Sequence, residues 1–224
     1  MKFEFMVRTK EDLIEAVQTF GFVPLFSNSI PGFSVEEHTA PEVWFTDQEG
    51  VWEWKGPVIR ETGCAYGKFF EKKAAFVSRN WFPDLANWRR NGYDFDARYE
   101  DGLAAYQDKL LYDQLEANAP LLSSRLKQLG DFRRGGRRGF DGIMSRFQEQ
   151  CYALICDFVY QTDRFGRQYG WGVGVYSTPE QHLGADFSRA VYQREPEESR
   201  DLVLERLSAL CPGTPMEKLR RFLR

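Results

Sequence analysis

The 224-residue chain reads as an α+β fold, and three observations carry that reading. Apolar residues recur at helical spacing from Leu103 to Asn118, from Leu122 to Leu129 and from Phe140 to Cys151. Beyond Ala153 the period switches to strand alternation, with Leu154, Cys156, Phe158 and Tyr160 on one side. A second run rich in aromatic and β-branched residues, Val58 to Ser78, is interrupted by Gly63 and Gly67 and predicts a small antiparallel sheet with its hairpin tip at Glu71-Lys72-Lys73.

The remaining elements follow in order. Thr9, with Glu11 and Asp12 behind it, predicts an N-cap, and Leu13, Ile14, Val17 and Phe20 make an apolar stripe that stops at Gly21. FVPLFSNSIPGF is turn-rich and predicts irregular chain, after which Thr39 and Pro41 open a short helix through PEVWF. Trp81, Leu85 and Trp88 recur at helical spacing after Ser78, and GYDFDARYEDG is a charged bridge with room for one helical turn. Leu122, Leu126 and Leu129 predict a helix closed by Gly130 as its C′ glycine. From Pro196 the chain is helical again, with Leu202, Leu204, Leu207 and Leu210, a break at PGT, and then PMEKLRRFLR.

Taken together, residues 103 to 185 give three helices, a strand, a polar loop with Gly166 at its tip and a returning strand, YGWGVGVY. That is the order of a winged helix, a three-helix unit with a β-hairpin wing. The expected organisation is therefore an N-terminal helical and small-sheet region (1–102), a winged-helix region (103–185) and C-terminal helices (186–224), packed as one compact unit. A hydrophobic content of 42% with 16% aromatic residues is ample for that core.

Charge singles out one place. The net charge is −3, yet between Ala119 and Gly170 nine Arg and Lys stand against five Asp and Glu. Four of the nine, Arg133, Arg134, Arg137 and Arg138, surround two glycines just before the third helix of the unit, and Arg164 and Arg167 stand in the loop between the strands. In a winged helix the third helix usually enters the major groove, while the loop before it and the wing meet phosphates. Guanidinium groups suit phosphate because they present several donors with delocalised charge. Stepping 100° per residue puts Phe140, Ile143, Met144, Phe147 and Cys151 on one face of that helix. Gly142, Ser145, Arg146 and Glu149 fall opposite, so Ser145 and Arg146 are the candidate groove residues and Arg146 the candidate reader of sequence. Double-stranded DNA is the expected partner, with Asp141 and Glu149 opposing tight docking. A solvated loop on a protein-interaction module is the alternative.

Other chemistries are thinly supplied. Two histidines, His38 and His182, cannot build a His-rich metal centre, and Cys64, Cys151, Cys156 and Cys211 form no CxxC pair. No metal and no cofactor is expected. GGRRG lacks the preceding strand and the GK[ST] ending of a phosphate loop. Gly170, Gly172 and Gly174 leave one strand face bare, so something packs closely there, a neighbouring element or a ligand. Trp44, Trp52, Trp54, Trp81 and Trp88 serve a core or a stacking platform, and no spacing among Glu53, Asp84, Asp94, Asp96 and Asp101 selects a catalytic pair. MKFEFMVRTK has no apolar stretch of signal-peptide length and no window reaches the ~20 apolar residues of a spanning helix, so a cytoplasmic protein without membrane contact is expected.

Three stretches, the run from Trp52 to Gly102, GFDGIMSRFQEQCYALICDF and YGWGVGVYSTPE, make the chain resemble the bacterial AlkZ-related proteins over nearly its whole length. These resemble in turn the YcaQ-type DNA glycosylases, which are built from winged-helix domains and remove alkylated bases. The resemblance implies DNA binding of glycosylase-like ancestry, or a repair enzyme that extrudes a base into the tryptophan-rich half. In the glycosylases a Gln-x-Gln pair in the N-terminal half holds the attacking water. Here the pair is Gln148-Glu149-Gln150, on the third helix, where the two side chains diverge by about 200°. Gln18 and Gln48 stand alone, so no catalytic residue is carried over.

Overall fold

Thr9 opens the first helix, α1 (Lys10–Phe20), through a reciprocal capping box. The Asp12 N–H donates to the Thr9 hydroxyl (3.3 Å) and the Thr9 N–H to the Asp12 carboxylate (2.9 Å). Leu13, Val17 and Phe20 are buried, as the stripe predicts. The computed structural model describes residues 2–44, 49–162, 164–165 and 168–224; Gln48, Gly166 and Arg167 lie outside the described residues.

The stretch expected to be irregular begins instead with a strand, β1 (Phe22–Pro24). It lies at the edge of the sheet, where a terminal proline removes no needed donor. A short helix, α2 (Pro41–Trp44), starts where Pro41 predicts it. The larger correction is α3 (Val51–Thr62): its last turns are the Val58–Thr62 segment expected to be strand. The apolar period Val51, Trp54, Val58 runs through Pro57 and outweighs the local β-branched run. Strands β2 (Ala65–Phe70) and β3 (Lys73–Val77) form the hairpin, with left-handed backbone at Glu71 and Lys72 (φ 50° and 60°), a tight two-residue turn at the predicted tip. Helices α4 (Phe82–Arg90) and α5 (Phe95–Glu100) complete the N-terminal half.

The second half runs α6 (Tyr106–Asn118), β4 (Leu121–Leu122), α7 (Ser123–Leu129), α8 (Phe140–Glu149), β5 (Leu154–Thr162) and β6 (Gln168–Ser177). Several details differ from expectation. Helix α6 starts at Tyr106 rather than Leu103, and Leu103 and Tyr106 are exposed instead of joining the apolar side. Leu121 and Leu122 leave the predicted helix to pair with Tyr176 and Val175 of β6. Gly130 is not a left-handed cap, since its φ is −79°; Asp131 takes the left-handed conformation instead (φ 62°). Glycine is needed at 130 for another reason: a Cβ there would come within 2.8 Å of the Leu111 side chain. The chain finishes with α9 (Pro179–Leu183), α10 (Ala185–Ala190), α11 (Pro196–Leu210) and α12 (Met216–Leu223). Val203 is buried on α11 where the sequence pattern predicts Leu202, and Phe222 of α12 stacks on Phe70 (4.8 Å between ring centres).

The fold is α+β, built on one six-stranded sheet of order β1-β3-β2-β5-β6-β4 in which every pairing is antiparallel. Among the described residues a single register pair, Tyr66 with Ile155, joins the N-terminal hairpin to β5. Two apolar clusters lie on this frame. One is shared by the N-terminal half and the C-terminal helices; the other gathers Leu111, Leu126, Phe140, Ile143 and Phe147 from α6, α7 and α8.

Arg90, at the end of α4, ties these parts together. Its Nε and Nη2 donate to the Cys151 carbonyl (3.2 and 2.8 Å), and Nη1 donates to Glu180 (2.7 Å) and to the Tyr192 hydroxyl (2.9 Å). Its guanidinium also lies 4.7 Å from the centre of the Tyr152 ring.

Candidate nucleic-acid interface

The loop between α7 and α8 folds back on itself. The Arg137 N–H donates to the Asp131 carbonyl (2.7 Å) and the Gly136 N–H to the Arg133 carbonyl (2.8 Å). A Cβ on Gly136 would stand 2.2 Å from the Asp131 oxygen, so only glycine allows this closure. Phe132 anchors the loop by packing edge-on to Phe140 of α8 (5.5 Å), and Gln107 of α6 holds its exit by donating to the Arg138 carbonyl (2.7 Å). The base is thus fixed while Arg133, Arg134, Arg137 and Arg138 are all exposed. Among the described residues, none of these four side chains has an ion-pair or hydrogen-bond partner.

On α8 the apolar face is buried as predicted: Phe140, Ile143, Met144 and Phe147. Ser145 is half-buried and Arg146 exposed on the other side. Arg146 is already engaged, with Nη2 donating to both carboxylate oxygens of Asp108 on α6 (2.8 and 2.9 Å). Spacing along one helix cannot reveal such a partner on another. Asp141 is paired with Lys127 (3.2 Å), which reduces the opposition to phosphate expected from its charge. In the hairpin between β5 and β6, Arg164 is exposed with its guanidinium 4.6 Å from the Phe165 ring centre, and Phe165 is 71% exposed.

At Gly172 and Gly174 the bare strand face is filled by protein; the surroundings of Gly170 lie outside what is described. A Cβ on Gly172 would meet the Tyr160 ring at 2.9 Å and one on Gly174 the Ile155 side chain at 3.3 Å. Tyr160 in turn donates to the Trp52 carbonyl (2.8 Å). A cavity of about 780 Å³ opens beside these residues, between the start of α1, α3 and β5, with Lys10, Glu49, Glu53, Trp54, Arg60 and Tyr160 among its walls. The Glu53 carboxylate accepts from the Gly50 N–H (2.9 Å), Lys10 pairs with Glu61 (2.5 Å) and Arg60 with Asp157. The other candidate carboxylates hold structure. Asp84 accepts from Ser199 (2.8 Å), Asp94 caps α5 through the Ala97 N–H (2.8 Å), Asp96 pairs with Lys109 (3.1 Å), and Asp101 accepts from the Tyr93 hydroxyl (3.0 Å). Among the described residues, no group of His, Cys, Asp or Glu is placed to hold a metal ion, and no helix is long and apolar enough to cross a membrane. The cysteines are free thiols, three of them buried.

Among known proteins, the family model described as AlkZ related matches residues 7–224. The chain belongs to the AlkZ-related family. No curated protein and no solved structure matches it.

In this AlkZ-related chain the Gln-x-Gln pair is divided between two environments. Gln148 is 1% exposed; its Oε1 accepts from the Lys68 N–H of β2 (3.1 Å) and its Nε2 donates to the Met144 carbonyl (2.9 Å). Gln150 follows α8 as its C-cap. Gln148→Ala is expected to destabilise the protein by ~1–3 kcal/mol, because the Lys68 N–H loses its acceptor and a fully buried side chain leaves a gap, whereas Gln150→Ala is expected to have little effect. Urea titrations of the two variants check this, and equal losses would refute it. Two charged residues escaped the sequence reading, Arg90 and Lys55. Lys55 is buried between the Trp52 and Phe158 rings (4.6 and 4.5 Å to their centres), and burial pushes its ammonium down to about 8. The available signal was position: Arg90 falls eight residues after Phe82 and four after Ala86, on the apolar stripe of α4.

Proposed function

We propose that this AlkZ-related protein binds double-stranded DNA through residues 103–185 used as a winged helix. One observation carries the reading: four exposed arginines, without partners among the described residues and on a loop fixed at its base, lead directly into α8. The element order supports it, since α6, β4, α7, α8, β5 and β6 follow one another with β4 paired to β6 and β6 to β5. In this reading the loop arginines hold phosphates, Arg164 and Arg167 do the same from the wing, and Ser145 faces the groove. Arg146 reaches a base only by exchanging Asp108 for it. The family membership supports a glycosylase-like relative.

The test is fluorescence anisotropy on duplex DNA between low and physiological salt. Four to six arginine–phosphate contacts predict a slope of log K against log salt of roughly −4 to −5 from counterion release. Absence of salt-dependent binding at low ionic strength would refute the reading and leave a protein-interaction module in its place. The cavity beside Trp54 and Glu53 favours a second reading, excision of an extruded base. Loss of excision in Glu53→Gln would support it, because glutamine still caps α3.

A further inference from the structure

A smaller cavity, about 260 Å³, opens where α5, α6 and the segment from α9 to Tyr192 meet. It is independent of the DNA reading, and its walls carry one sign of charge. Asp94, Asp96, Glu116 and Glu180 line it beside the aromatic pair Phe95 and Tyr112, stacked 4.2 Å apart. Two of these carboxylates are already matched: Asp96 by Lys109 (3.1 Å), and one oxygen of Glu180 by Arg90 (2.7 Å).

What is left over points to a ligand. Tyr112 is only 4% exposed, and among the described residues its hydroxyl has no hydrogen-bond partner. Burial raises its phenol, and the charge of Glu180 raises it further. The second oxygen of Glu180 is buried and equally without a partner. The Glu116 carboxylate has none among the described residues, and it is held above the usual carboxylate range by burial first and then by the charges of Asp96 and Glu180. A buried polar group with no partner costs free energy; here that group is the Glu180 oxygen, while the Tyr112 hydroxyl and the exposed Glu116 carboxylate open onto the same cavity, so a cationic donor entering it meets all three acceptors.

We propose that this pocket binds an alkylammonium group. A primary ammonium has three N–H donors for the three acceptors, Tyr112, Glu180 and Glu116, and its positive charge suits the aromatic lining. A guanidinium fits less well, because its planar fork favours both oxygens of one carboxylate, whereas the acceptors here belong to three side chains. The cavity is too large for a bare ion and takes a short alkyl chain against Phe95 and Val191. Such a group can come from a free polyamine or from the lysine side chain of a protein.

The experiment is isothermal titration of the full chain with n-butylammonium, with 1-butanol as the neutral analogue. Saturable binding on the order of 1 mM is expected for so small a ligand, with 1-butanol at least ~10-fold weaker. Glu116→Gln is expected to weaken butylammonium about threefold and Tyr112→Phe about fivefold. Both variants are checked by circular dichroism, and Glu116, exposed on α6, is the one whose change leaves the fold untouched. Spermidine binding more tightly than butylammonium identifies a free polyamine as the source; Nα-acetyl-lysine amide doing so identifies a protein lysine. Equal affinity for 1-butanol, no saturable heat at tens of millimolar, or an unchanged affinity in the folded Glu116→Gln variant overturns the proposal.

Discussion

Replacing Arg90 by alanine is expected to destabilise the protein by ~3–5 kcal/mol, the range for removing one member of a buried charged network. In a chain of this size that corresponds to a fall in melting temperature of roughly 10 °C. The side chain is 1% exposed and reaches across three connections at once: two bonds to the Cys151 carbonyl, one to Glu180 and one to Tyr192. Truncation leaves the Cys151 oxygen without donors and opens a gap against the Tyr152 and Phe187 rings. Arg90→Lys is expected to recover little, because one ammonium cannot span a carbonyl, a carboxylate and a phenol placed to suit a planar fork. Calorimetry of both variants measures this. A loss under ~1 kcal/mol in Arg90→Ala would mean that water replaces the guanidinium without penalty, contrary to the buried geometry.

Converting Arg133, Arg134, Arg137 and Arg138 together to alanine is expected to weaken duplex binding at least ~100-fold near 0.1 M salt and to flatten the salt slope by about 0.9 for each phosphate that is no longer neutralised. The weakening should be the same on every DNA sequence, since phosphate contacts position a protein without reading bases. Stability should be unchanged, because the four side chains are exposed and have no partners among the described residues. That separation makes the measurement decisive: anisotropy on random and mixed duplexes reads the phosphate grip, and a melting curve reads the fold. If affinity and slope both survive the quadruple change, the phosphates are held elsewhere and the loop is a solvated surface.

Local physics made parts of this molecule readable from its residues. The capping box at Thr9, the two-residue hairpin turn at Glu71 and Lys72 and the buried stripe from Phe140 to Phe147 all rest on interactions within a few positions of chain. What escaped rests on partners distant in sequence. β1 and β4 are too short to announce themselves and exist because β3 and β6 offer them an edge. Val58–Thr62 has strand-like composition, but its stripe continues that of Val51 and Trp54 into one helix. In the candidate interface the arginine loop was legible because charge density is a property of sequence. The Asp108 partner of Arg146 was not, nor was Arg90, whose burial follows from groups that only the tertiary fold assembles.

The single seam between Tyr66 and Ile155 also bears on how the chain reaches its native state. The β2–β3 and β5–β6 hairpins close over short stretches and can form early, whereas the seam must bring together strands separated by α4 to α8 and bears the larger loop-closure entropy. Until it forms, β2 and β5 each present an open edge, the kind of surface that recruits a strand from another chain. In the folded chain Arg90, which links α4 to the turn just before β5, spans the same two halves that this seam joins.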